Sequence, residues 1–437
     1  MQSVHLLKLI ALVIAPSLLA AAAGSFTATP QEYDHEAIRY EKGPVADPVS
    51  RLQGGIEGGR VKLAYDEQFG WLPSVLEALG VPVESQILTF GKTSFQASLI
   101  SPRRPRAIYF NDRVSVGFVR NGEVLELASV DPRQGVIFYT LDQERAARPR
   151  FVRRDACLQC HQNNSTLNVP GLMIRSVYPE ASGMPLFQAG GFVTDHRSPL
   201  KERWGGWYVT GTHGAQTHLG NAFVPDPQRP TELDTRSSMN LASLKGRFNV
   251  EEYLRPTSDI VALMVIEHQT RMTNLITRAG WETRKALHYR ETMAEALGWL
   301  SPETRASTER RIRSASDELI EGLLLLDEAM LSAPVRGVSG FAEAYASGGP
   351  VDSQGRSLRQ LDLRRRLFRY PCSPLIYSEA FDNLPPEARE HIYRTLLEVL
   401  RGKETGARFA RLSAEDRQAV REILLATKPN LPGYWRE

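Results

Sequence analysis

The chain has 437 residues, 42% apolar and 24% charged, the balance of an ordinary soluble globular protein with enough length for two or three domains. A net charge of +3 is close to balanced and gives no support for nucleic acid or a polybasic membrane surface as a partner.

Met1 to Lys8 is a short, weakly basic lead, Leu9 to Leu19 is an apolar core, and Ala21-Ala22-Ala23 before Gly24 is a small-residue cleavage site. The pattern is that of an export signal, so residues 1–23 are read as a signal peptide removed near Ala23. Its apolar core is short for a membrane span, although an uncleaved anchor is the other reading. The expected compartment is the bacterial periplasm or the exterior, with no membrane span after cleavage.

Residues 24–85 are polar and broken by Pro30, Pro44, Pro48 and the glycine pairs 54–55 and 58–59, an irregular lead-in with at most a short helix. Strand-like runs follow at Ile87 to Phe90, Ala107 to Phe110, Val114 to Arg120, Glu123 to Val130 and Val136 to Leu141. Asn121-Gly122 between two of them predicts a tight hairpin with a type I′ turn. Further strands are predicted at Met173 to Tyr178, Gly190 to Thr194 and Trp207 to Thr212, so residues 86–255 read as a β-rich, antiparallel domain.

From Pro256 the pattern is helical. Thr257 or Ser258 can cap a helix running to Ala279 and ending at Gly280, with Val261, Met264, Val265, His268, Met272, Leu275, Ile276 and Ala279 on one face. Further helices are predicted at Glu282 to Leu297, Pro302 to about Leu331, Pro385 to Arg401 and Ala414 to Ala426, the last opened by Ser413 and Asp416 as a capping box. The predicted fold is therefore α+β, a β-rich domain followed by a mainly α-helical region over residues 256–437.

Between the strand runs lies Cys157-Leu158-Gln159-Cys160-His161. Two of only three cysteines stand in a C-x-x-C pair with a histidine attached. A redox dithiol would sit in a small βαβ context that is absent here, a zinc site would need two more soft ligands, and a disulfide across so short a loop would be strained. The remaining cysteine, Cys372, is flanked by Pro371 and Pro374 and is expected to be buried and inert.

The five residues resemble the haem-attachment motif of c-type cytochromes, a resemblance that covers Cys157 to His161 alone. It implies one covalent haem c, with its iron, held by Cys157 and Cys160 and ligated by His161. The rest of the chain departs from the small helical cytochrome c domain with its downstream methionine ligand.

The second iron ligand is sought among His268, on an otherwise apolar helix face, and His213 and His218, which follow the run Arg203-Trp204-Gly205-Gly206-Trp207. The blander readings are a core histidine bonded to Glu267 or Thr194, and an exposed turn histidine. His268 is the leading metal ligand after His161, and His213 and His268 are the candidate acid/base groups. Met173 and Met184 are the nearest methionines, more often filler than ligand. Among Arg175, Arg197 and Arg203, at least one is expected on the haem propionates, with Arg203 and Trp207 the leading cofactor-binding residues.

Nothing else competes: there is no G-x-S-x-G, H-E-x-x-H, phosphate-binding glycine loop or second C-x-x-C-H. The leading expectation is an exported monohaem c-type cytochrome in periplasmic electron transfer with a redox partner protein. The alternatives are a haem enzyme acting on peroxide or another small substrate, with Trp204 or Trp207 beside the haem, and a sensor of NO or O2.

Overall fold

The computed structural model describes residues 34–437 apart from 234; the predicted signal peptide lies outside them. The lead-in carries two short helices, α1 (Pro48–Glu57) and α2 (Leu72–Ala78). Helix α1 starts where it does because the Asp47 carboxylate accepts from the Val49 and Ser50 amides and Pro48 fills the first turn.

Six strands then form a meander, β1 (Ile87–Thr89), β2 (Arg106–Phe110), β3 (Val114–Phe118), β4 (Val124–Asp131), β5 (Gly135–Asp142) and β6 (Phe151–Arg153). A four-residue helix α3 (Leu158–His161), a hairpin of β7 (Ile174–Val177) and β8 (Gly191–Thr194), and the short β9 (Trp207–Tyr208) follow. The sheet order is β6-β5-β4-β3-β2-β1-β9, antiparallel throughout, and β7-β8 is a separate pair. The hairpin at Asn121-Gly122 forms, but only Asn121 has positive φ, so the connection is not the type I′ turn predicted.

The helical part comprises α4 (Ile260–Leu297), α5 (Pro302–Leu323), α6 (Phe341–Ser347), α7 (Glu379–Asp382), α8 (Pro386–Leu400) and α9 (Ala414–Thr427). The chain is thus α+β, as its patterning predicts. Helix α4 is capped by Asp259, which accepts from Val261 and Ala262; the Ser258 hydroxyl is engaged by the sheet, accepting from Leu88 N–H and donating to Tyr208. Gly280 does not end the helix. Ala279, Gly280 and Trp281 are all buried, and that packing outweighs the roughly 1 kcal/mol a mid-helix glycine costs. The stop comes at Gly298, which takes the left-handed conformation. Helix α5 ends at Leu323, eight residues short of the prediction, because Leu325 turns left-handed at φ +48.

One sheet face buries Ala107, Tyr109, Val116, Phe118, Leu125, Leu127, Ile137, Tyr139 and Leu141 with Val49, Leu52, Leu72 and Val75 from α1 and α2. The opposite face packs Ile87 and Phe110 onto Ile260, Leu263 and Met264 of α4. The β-rich and helical parts therefore share a core across the boundary at 255 and 256. Each fully buried side chain of this size contributes about 1.5–3 kcal/mol. Cys372 is fully buried, and burial pushes its thiol up to about 12. No helix among the described residues is long and apolar enough to cross a membrane.

Candidate functional site

Strand β6 delivers the chain to the Cys157–His161 turn. The Arg154 amide bonds the Phe138 carbonyl at 2.9 Å, and its Nε donates to the Thr140 hydroxyl at 2.9 Å, so the segment is held on β5 up to this point. A 3-10 turn, Asp155–Cys157, then passes into α3. Leu158 is 2% exposed and plugs into the main core, which fixes the turn. In helical geometry Cys157, Cys160 and His161, at i, i+3 and i+4, share one side of the turn, and Cys157 also packs against the main core. Both thiols are free; Cys157 is half-buried and Cys160 exposed.

His161 is the best-determined group of the three. Its Nδ1 lies 3.0 Å from the Gly171 carbonyl oxygen and its ring packs on Phe138 at 4.8 Å. A carbonyl can only accept, so Nδ1 carries the proton and Nε2 keeps a free lone pair. Burial, with the Arg106 and Arg175 guanidiniums, holds the imidazolium below its ordinary range, so the ring is neutral at physiological pH.

The loop after α3 is tightly made. Asn163 and Thr166 form a capping box, and the Asn163 amide donates to the Cys160 carbonyl at 2.7 Å. The Asn274 side chain of α4 then clasps Leu172, donating to its carbonyl at 2.7 Å and accepting from its amide at 3.0 Å.

Across the sheet face beside the turn, Arg106 and Glu126 form an ion pair of 2.5 Å, and Gln96 donates to Glu126 at 2.9 Å. Gly117 makes room, since a Cβ there would stand 2.4 Å from the Arg106 guanidinium. Burial, with the nearby Glu126 carboxylate, pushes the Cys157 thiol up. A redox dithiol needs the reverse, a thiol whose pKa is depressed. Among the described residues no three His, Cys, Asp or Glu side chains converge in the manner of a zinc site.

The other predicted site residues lie elsewhere. His268 is fully buried, its Nδ1 3.3 Å from His196 Nδ1 and its Nε2 2.7 Å from the Ser373 hydroxyl, so both ring nitrogens have protein partners. Those partners replace the Glu267 or Thr194 that the bland reading named. His213 is buried rather than exposed in a turn; its Nε2 accepts from Asn240 N–H and its ring meets His218 at 4.9 Å. His218 in turn lies edge-on to Trp204 at 5.5 Å. None of these contacts of His213, His218 or His268 involves the Cys157–His161 turn.

Arg203 is also committed: Nη1 to Glu267 at 2.9 Å, Nε to the Ser198 carbonyl and Nη2 to the His196 carbonyl, the first and last of these buried. Arg197 pairs with Asp195. Trp207 donates its Nε1–H to the Arg175 carbonyl at 2.7 Å. Met173 is half-buried just before β7, and Met184 is exposed. Sequence reasoning missed Gly171, Asn274 and the Arg106–Glu126 pair. The pair had a signal in the alternation: Arg106, Gly117, Glu126 and Thr140 interrupt otherwise apolar strand faces.

No family model, curated protein or solved structure matches this chain.

The residues of the turn fit a covalently attached haem: two free thiols three residues apart on one side of a helical turn, and beside them a neutral imidazole with an uncommitted Nε2.

Proposed function

We propose that the chain is a monohaem c-type cytochrome carrying electrons in the bacterial periplasm. The observation that carries the reading is the Nδ1 hydrogen bond from His161 to the Gly171 carbonyl, made within a C-x-x-C-H turn whose thiols are both free. Such a bond fixes the tautomer and ring orientation of a metal-ligating histidine and raises its basicity. Cys157 and Cys160 would hold the haem and His161 its iron, and the haem supplies a one-electron couple. The export pattern of residues 1–23 supports the compartment, and the exposed Cys160 supports access for a redox partner protein.

One observation favours a second reading. His213 and His268 are engaged away from the turn, so neither stands ready as a second protein ligand for the iron. A site open in that way belongs to a haem enzyme acting on peroxide or another small substrate, or to a sensor of NO or O2.

The test is a haem stain of the matured protein after denaturing electrophoresis, followed by reduced spectra with and without carbon monoxide. Covalent haem that is lost in Cys157→Ala, with a reduced spectrum that ignores carbon monoxide, supports electron carriage. Ready binding of carbon monoxide moves the assignment to the second reading, and absence of covalent haem overturns both.

A further inference from the structure

The helical part holds a cavity of about 610 Å³, to which the Cys157–His161 turn contributes no residue. It lies where the loop after α5 (residues 324–330), the segment 365–371 and the start of α9 meet, and its volume is that of a small-molecule site. Hydrogen bonds fasten its walls. Arg411 Nη1 donates to the Leu326 carbonyl at 2.8 Å, Leu331 N–H to the Arg365 carbonyl at 2.9 Å and Ala329 N–H to the His196 carbonyl at 2.9 Å. Arg366 forks onto Asp416 at 2.9 and 2.7 Å, which ties the middle segment to α9. In the lining, Leu325 holds a left-handed backbone at φ +48, a strain that persists only where the surroundings impose it.

Two kinds of charged group in these walls have unused capacity. The first is Glu328, 6% exposed, whose one carboxylate oxygen accepts from Leu367 N–H at 2.6 Å. Its other oxygen has no hydrogen bond among the described residues. Burial pushes the carboxyl up to about 7, against the pull of the Leu367 amide and of Arg203, Arg366 and Arg411. The second kind is the guanidinium. Apart from its bond to Leu326, the Arg411 head is uncommitted among the described residues, and Arg365 keeps only a loose pair with Asp362 at 3.6 Å. Leu324, Leu325, Leu412 and Pro371 make much of the remaining lining apolar.

A bare anion would be attracted by the arginines and repelled by Glu328, and a bare cation would meet the reverse. A zwitterion suits both. We propose that this cavity binds an amino-acid-type zwitterion, with its carboxylate on Arg365 and Arg411, its ammonium on Glu328 and its side chain against the leucines. The guanidinium fork matches a carboxylate, and an ammonium beside Glu328 favours the ionised carboxylate in spite of burial. The site stands whether or not the chain carries haem.

The test is calorimetric titration of the full-length protein with each standard amino acid and with alanyl-alanine, using acetate and methylamine as single-charge controls. The variants are Glu328→Gln, Arg365→Gln and, at a different cleft, the exposed Arg103→Gln. Glu328→Gln keeps an oxygen for Leu367 N–H and the Arg365 side chain is 73% exposed, so both variants are expected to melt close to wild type without ligand. The expected result is an amino acid or the dipeptide binding wild type at least about tenfold more tightly than either control. Glu328→Gln weakens that binding by about tenfold or more, Arg365→Gln weakens it severalfold, and Arg103→Gln follows wild type. Binding by the free amino acid or by the dipeptide supports the proposal, and the tighter of the two identifies the occupant. Absence of binding, acetate binding as tightly as any amino acid, or Glu328→Gln titrating like wild type overturns it. If Glu328→Gln fails to fold, Arg365→Gln decides, and binding equal to wild type in that variant overturns the proposal.

Discussion

Gly171 meets His161 twice: its carbonyl oxygen lies 3.0 Å from His161 Nδ1, and its own N–H returns to the His161 carbonyl at 2.9 Å. The position has no room for a side chain. A Cβ there would stand 2.1 Å from Asn274 Oδ1 and 3.2 Å from the Thr166 Cβ, neither a loose surface group. Gly171→Ala should therefore push the loop off α4 and loosen the imidazole, destabilising the fold by about 1–3 kcal/mol, the usual range for overpacking. Urea denaturation checks the stability, and the haem-matured protein should also show altered ligation in its absorption spectrum. A variant equal to wild type in both would mean that the loop does not position His161.

Asn274 reaches the same turn from the helical side. Asn274→Ala leaves the Leu172 amide and carbonyl without their side-chain partners, and an unsatisfied buried group costs about 1–3 kcal/mol. The expected outcome is that loss of stability together with faster amide exchange in residues 163–172. Exchange limited to α4 would show instead that the clasp serves the helix alone.

The Arg203–Glu267 pair joins the β-rich and helical parts with almost no solvent, at 4% and 0% side-chain exposure. Removing one partner of a buried pair costs about 3–5 kcal/mol. Burial pushes Glu267 up to about 7 even with Arg203 beside it, so a proton can replace the lost arginine at low pH. Arg203→Gln should be strongly destabilised at pH 8 and less so at pH 5 in paired urea titrations, with the haem spectrum unchanged. Small stability loss combined with a changed reduction potential would return Arg203 to the haem site.

His268 and His213 should behave as structural residues. His268→Ala removes a fully buried ring and its bond to Ser373, a change worth about 2–5 kcal/mol. Its haem-matured form is expected to keep the spin state of wild type, read from the visible spectrum. A conversion from low to high spin would make His268 an iron ligand after all.

The α+β division and the meander were legible because strand alternation and helical periodicity are local signals, and each predicted run from Ile87 to Leu141 has its strand. The Cys157–His161 turn was legible for the same reason, being five contiguous residues. Its supports were not, because Gly171, which His161 meets, and Asn274, which clasps the next residue Leu172, are ten and more than a hundred positions away and are chosen by packing. His268 looked like a ligand because its helix face is apolar; the partners that occupy its nitrogens, His196 and Ser373, come from distant loops. Gly280 misled as a helix stop because burial of its neighbours outweighed its intrinsic cost. Arg203 looked like a cofactor ligand as a letter; the Glu267 carboxylate that neutralises it comes from α4, 64 positions away.

Buried titrating groups set the pH response of stability, and their signs oppose. Burial holds His196 and His218 down to about 3 and pushes His268 well below its ordinary 6.5. Below pH 6.5 the unfolded chain binds protons that these folded residues refuse, so each contributes about 1.4 kcal/mol of lost stability per pH unit of descent. Burial pushes Glu267 and Glu328 up to about 7 from the ordinary 4.5. Between pH 4.5 and 7 the folded chain holds those two protons and the unfolded chain does not, so they lower stability as pH rises. Burial also holds His161 and His213 below 6.5, so the histidines outnumber the two acids and stability falls as pH drops from 6.5 to 4.5. Below 4.5 the acids are protonated in both states, the histidines act unopposed, and stability falls steeply. Calorimetry from pH 4 to 8 should place the maximum melting temperature near 6.5, and His196→Gln should make the acid limb shallower by about one proton. An acid limb parallel to that of wild type would mean that His196 takes up its proton in the folded state.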